Sequence, residues 1–151
     1  MRVDFYHLQT SPLERALPAL LERVLAAGQR AVVLAASEER VEALANQLWT
    51  YNPNSWLPHG TAKDGFAATQ PIWLTDKEEN PNGARVLVLT DGMAAGFMHG
   101  FERCLDLFDG NAEEAVAQAR RRWAEAKAAG HELHYWQQTQ AGGWTEKAGS
   151  S

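Results

Sequence analysis

The chain has a single cysteine, Cys104, among 151 residues, which excludes an internal disulfide and any multi-cysteine zinc site. A lone thiol fits a reducing compartment, and such a residue ordinarily packs as a small buried hydrophobe. No apolar run approaches the roughly 20 residues that span a bilayer. Met1-Arg2-Val3-Asp4-Phe5 is charged from the outset and lacks the apolar centre of a secretion signal. The protein is therefore expected in the cytoplasm, without a membrane partner. Cationic charge is scarce too: 14 Lys and Arg stand against 19 Asp and Glu, a formal net charge of −5. Broad wrapping of duplex nucleic acid needs many phosphate-facing cations and does not suit such a chain.

The signatures of phosphate and acyl chemistry are missing as well. No Gly-x-x-x-x-Gly-Lys-Ser/Thr loop occurs, and neither Gly-x-Gly-x-x-Gly nor a Gly-x-Ser-x-Gly elbow follows a strand-like segment. Asp91-Gly92, directly after the apolar Val86 to Leu89, is the best remaining place for a ligand at a strand end. No base or nucleophile accompanies it. His131 and His134 are three residues apart, so on a strand their rings point to opposite faces and make no metal pair. No metal and no cofactor are expected.

What the chain does contain is an α/β alternation. Val3 to Leu8 reads as a strand, and Ser11-Pro12-Leu13-Glu14 has the form of a capping box with proline at the first helical position. The helix that follows runs to Gly28, with a kink or irregular start expected at Pro18. Ala31 to Ala35 is a short apolar strand of the kind covered on both faces. Ser37 then caps a second helix to Leu48, with Glu38 and Glu39 favourably placed on its dipole. After a loop rich in proline and glycine, Ile72 to Thr75 and Arg85 to Thr90 flank an Asn80-Pro81-Asn82-Gly83 turn, which predicts an antiparallel hairpin. Cys104 to Phe108 is a further strand, and Glu132 to Trp136 a last, edge strand. The fold class expected is α/β: one Rossmann-like domain over 1–138, with a mixed, mostly parallel sheet flanked by helices, and a flexible tail over 139–151.

The most informative stretch is Gln118-Ala119-Arg120-Arg121-Arg122-Trp123, three guanidiniums beside an indole in an acidic chain. On a helix from Asn111 to Ala129, Ala112, Ala115, Ala119 and Ala126 share one narrow face. Val116, Arg120, Trp123 and Lys127 form the stripe beside it, and Arg121 points elsewhere. The alanines allow close approach to a sheet and leave the Arg120/Trp123/Lys127 stripe at the rim. Taken alone, the pattern also describes a solvated basic face with Trp123 half buried as packing. Six tryptophans exceed what a core of this size needs, so some are expected to face a partner.

The arginine helix, Ser55-Trp56-Leu57-Pro58-His59, Asp4-Phe5-Tyr6-His7-Leu8 and Ala128-Ala129-Gly130-His131-Glu132-Leu133 together resemble one family, the chi subunit of bacterial DNA polymerase III. Trp49, Ile72-Trp73, Arg85 to Leu89 and Asp106 to Asp109 fit the same order and spacing, and the likeness reaches to about Gln138. It implies a Rossmann-like fold without a working nucleotide site, in a noncatalytic accessory subunit associated with the clamp loader. That subunit ties the replicase to single-stranded DNA-binding protein (SSB) by holding its acidic C-terminal tail, which ends in Pro-Phe and a free carboxylate. DNA is then reached indirectly through SSB, and a separate surface holds the psi subunit.

By the same resemblance Arg120 matches the arginine at the tail-binding pocket, and Trp123 stands where relatives often have tyrosine. Trp56 matches an aromatic of the opposite wall, and Phe108 lies close to an apolar pocket position. Some relatives carry lysines at the positions of Val116 and Ala124; Arg121, Arg122 and Lys127 are the cations here that replace that attraction, inexactly, since they lie at different angles on the helix. No residue carries over for psi. Two other classes keep a place: direct single-stranded DNA binding through Arg120 to Arg122 and exposed indoles, and a nucleotide-binding enzyme using the strand ends near Asp91.

Overall fold

The computed structural model describes residues 1–51, 57–93 and 100–150. Seven described strands form one sheet in the order β3-β2-β4-β5-β1-β6-β7. They are β1 (Arg2–Leu8), β2 (Ala31–Leu34), β3 (Ile72–Thr75), β4 (Val86–Leu89), β5 (Arg103–Asp109), β6 (Glu132–Gln138) and β7 (Trp144–Ser150). β1 through β6 run parallel, and β7 pairs antiparallel with β6. The α/β class and the mixed, mostly parallel sheet are therefore as the sequence indicates.

Among the described residues three α-helices cover the sheet: α1 (Leu13–Ala26), α2 (Glu38–Thr50) and α3 (Glu113–Ala128). Alternation along each strand divides the core into two layers. Ala31, Val33, Leu105 and Leu107 pack with Leu17, Leu21 and Leu44 of α1 and α2. Val32, Leu34, Phe5, Cys104 and Phe108 pack on the other side with Ala119 and Ala126 of α3. Cys104 is fully buried, and burial pushes its thiol well above the ordinary range, in keeping with a packing role.

Four local expectations are corrected. Ile72–Thr75 and Val86–Leu89 are not a hairpin: both run parallel to β2, one on each side of it. The turn signal is real, since Gly83 has φ +64°, but it lies inside a crossover whose Asn82 side chain donates to the carbonyls of Ala31 and Gln70. The segment after Gln138 is not a free tail over its whole length. Trp144–Ser150 pairs along β6, with Trp144 edge-on to Tyr6 at 5.0 Å, so β6 is not the edge strand. The capping box at Ser11 does not form; Pro12 is the N-cap residue and makes no side-chain cap bond. Finally, α1 is helical from Leu13 through Pro18, so no irregular start occurs there; the proline is buried and deprives only the Glu14 carbonyl of a helical donor.

Ser37 does cap α2, its hydroxyl accepting from the Arg40 N–H at 3.2 Å. Ser37→Ala is expected to cost about 1 kcal/mol in urea unfolding without altering the sheet.

Candidate peptide-binding site

α3 lies across β5, β1 and β6 because Ala119 and Ala126 carry so little side chain. The two flanks of that alanine seam then meet different parts of the sheet. On one flank Trp123 is half buried, edge-on to Phe5 at 5.4 Å and to Tyr135 at 5.8 Å. It is thus a partly exposed packing residue, as in the second of the two readings that the helix pattern allows. Beyond it Arg120 and Lys127 are exposed, as is Arg121, about 100° further round the helix. None of these three cations makes an ion pair with another described residue.

On the other flank Arg122 turns inward. Its guanidinium donates twice to Asp106 of β5, at 2.6 and 3.0 Å, with the carboxylate 2% exposed. Burial raises the Asp106 carboxyl above its ordinary value, and Arg122 works against that shift. Arg122 is therefore committed to the core, and of the triplet only Arg120 and Arg121 present free charge.

Arg120 borders a groove of about 270 Å³ with Gly110, Asn111, Glu113, Val116 and Ala117. Beneath Gly110 sits His7 of β1. A Cβ at Gly110 would fall 1.9 Å from the His7 ring, so only glycine allows this approach. His7 Nδ1 shares a short hydrogen bond with the Tyr135 hydroxyl, and Phe108 stacks obliquely on both rings at 5.2 and 6.1 Å. Burial holds the His7 imidazole below its ordinary value and the positive charge of Arg120 adds to this, against a Gly110 backbone hydrogen bond and Asp109. Burial likewise raises Tyr135 while Arg120 lowers it. One cation thus faces a floor of His7, Tyr135 and Trp123.

The structure brings Arg120, Trp123 and Lys127 onto one side of α3. Phe108 is 4% exposed and lies beneath the floor, not on its surface. Trp56 lies outside the described residues. His7 and Tyr135 were missed by sequence reasoning: they sit 128 positions apart, and only the parallel pairing of β1 with β6 makes them neighbours. Trp49 and Phe66, 54% and 81% exposed, are two further aromatics on the surface. They lie toward the β3 end of the sheet, away from α3. Phe66 holds a left-handed φ of +54°, a conformation costly for an aromatic residue.

A larger cleft of about 570 Å³ opens at the carboxyl ends of β1, β4 and β5, where α/β sheets commonly bind ligands. Its polar groups are bonded internally. Arg40 is held by Asp91 at 3.0 Å and by Glu14 at 3.2 Å. The successive N–H groups of Gln9, Thr10 and Ser11 all donate to the Gln138 amide oxygen, at 3.0, 2.9 and 3.1 Å. No cluster of metal-ligating side chains occurs among the described residues. No helix among them is long and apolar enough to cross a membrane.

Residues 1–134 match the model of the DNA polymerase III chi subunit (HolC) family. The chain belongs to that family. Over 86 residues it is 36% identical to a Rickettsia prowazekii protein named "Probable DNA polymerase III subunit chi", covering 57% of this chain and 52% of that protein. Over 123 residues it is 29% identical to the Pseudomonas aeruginosa DNA polymerase III subunit chi, covering 80% of this chain and 84% of the relative. The match thus spans about half the length of the Rickettsia relative. Within the chi family frame, the arginine helix is α3 and the closing Ala128 to Leu133 segment leads into β6.

Proposed function

We propose that this protein is an accessory subunit of the DNA polymerase III holoenzyme that takes no part in its chemistry and ties the clamp-loader part of the replicase to SSB. The SSB tail, acidic and ending in Pro-Phe, lies along the outer flank of α3. The observation that carries this reading is the contrast among the arginines: Arg2, Arg40, Arg103 and Arg122 are each locked to carboxylates. Arg120, in a chain of net charge −5, is exposed at a groove beside aromatic rings. A guanidinium there takes the terminal carboxylate, the accessible side of Trp123 takes the phenyl ring, and Lys127 and Arg121 attract the aspartates. DNA is engaged through SSB. A psi-type partner requires a second surface, and the exposed Trp49 and Phe66 favour the β3 end of the sheet.

Calorimetric titration with a synthetic tail peptide tests the reading. A hydrogen bond to a charged group is worth about 1.5–3 kcal/mol, so the amidated peptide should bind roughly ten to a hundred times more weakly than the free acid. Arg120→Ala should lose at least about tenfold. Equal binding of the two peptides would reduce α3 to a diffuse cationic surface. Tight, saturable binding of oligothymidine in the absence of SSB would instead favour direct single-strand binding.

A further inference from the structure

β7 is bound to the rest of the molecule chiefly through one neighbour, β6, and its opposite edge has no described partner strand. Its pairing register shifts between Tyr135 and Trp136, where Ala148 opposes the first and Glu146 the second. That shift places Glu146 on the same sheet face as Glu132, His134 and Trp136. There His134 is clamped from both sides: Nδ1 lies 2.6 Å from a Glu146 oxygen and Nε2 2.7 Å from a Glu132 oxygen. An ionised carboxylate only accepts hydrogen bonds, and a neutral imidazole has one N–H. Satisfying both contacts therefore requires a ring protonated at both nitrogens. The ring is also stacked on Trp136, at 6.4 Å and 22°.

We infer that β7 is a pH-sensitive strap, latched onto β6 by a protonated His134 between Glu132 and Glu146 and loosened when that proton leaves. The other charged groups facing the ring come from β1: Arg2 disfavours the proton and Asp4 favours it, while the two glutamate hydrogen bonds dominate and hold His134 above its ordinary value of 6.5. The sign follows from linkage. In the loosened state His134 titrates at its ordinary value, and in the latched state higher. The latch is therefore at full strength below about 6.5 and weakens as pH rises through the latched-state value. What loosens is Glu146 and the strand that carries it, together with the cover that Trp144 gives Tyr6.

Amide hydrogen exchange of the full chain between pH 5.5 and 8.5, corrected for intrinsic rates, tests this. The β7 amides should lose protection by up to about tenfold per pH unit between the two values, while those of β1 and β5 hold constant. His134→Gln should give low protection that no longer depends on pH. Glu146→Gln should move the midpoint toward the ordinary histidine value, which an NMR titration of the His134 ring reads independently. Protection of β7 that is flat across this range in the natural chain, or an unchanged pH profile in His134→Gln, would overturn the inference.

Discussion

Arg122→Ala should destabilise the protein by about 3–5 kcal/mol in urea unfolding, while Arg120→Ala, two positions away, should change stability by no more than about 0.5 kcal/mol. The difference lies in what each guanidinium leaves behind. Arg122 is 12% exposed and bonds both oxygens of Asp106, itself 2% exposed. Its removal strands a carboxylate between β5 and α3. The Asp106 carboxyl already sits above its ordinary value through burial, with Arg122 as the opposing influence. Without that arginine it rises further, so the deficit should be greatest at neutral pH and shrink as acid protonates Asp106. Arg120 leaves only a solvated gap, and its loss should register in peptide affinity. Equal stability of the two variants would show that the Asp106 pair contributes nothing to the seating of α3.

Gly110→Ala should cost about 3 kcal/mol and weaken peptide binding at the same time. The new methyl would lie 2.1 Å from His7 Nε2 and 2.5 Å from the Leu8 carbonyl oxygen, which accepts the Gly110 N–H at 2.7 Å. The His7 ring has somewhere to go only if it gives up Tyr135, and the carbonyl belongs to the β1 backbone. The chain entering α3 must shift, carrying Arg120 and its groove along. A second change, His7→Ala, removes the ring clash but not the backbone one, so it should restore part of the loss. A Gly110→Ala protein unfolding within 1 kcal/mol of the original would refute this packing.

The sequence read well where the signal is local. Ala31 to Leu34 and Val86 to Leu89 are apolar throughout because both faces are covered, and the Ala119/Ala126 seam of α3 followed from helical period alone. It misled where pairing is decided at a distance. Asn80-Pro81-Asn82-Gly83 reports that the chain turns, and nothing in those residues tells that β2 lies between the strands on either side. Trp144–Ser150 holds few apolar side chains, and its order comes from the edge that β6 offers. The site divides in the same way. Arg120, Trp123 and Lys127 shared a face on paper, whereas the commitment of Arg122 depended on a carboxylate 16 residues upstream. The aromatic floor under Arg120 depended on strands from opposite ends of the chain.

That last arrangement bears on how the molecule is made. β1 precedes β5 and β6 in the sequence and lies between them, pairing from Arg2 with Arg103 on one side and with Glu132 on the other. The N–H groups just after it are met by Gln138. During synthesis both edges of β1 therefore stay open until β5 has been made, and the second until β6 follows. Such non-local closure slows folding and prolongs exposure of apolar strand. Fragments truncated before β6 should be insoluble or chaperone-bound, because they leave one edge of β1 unpaired.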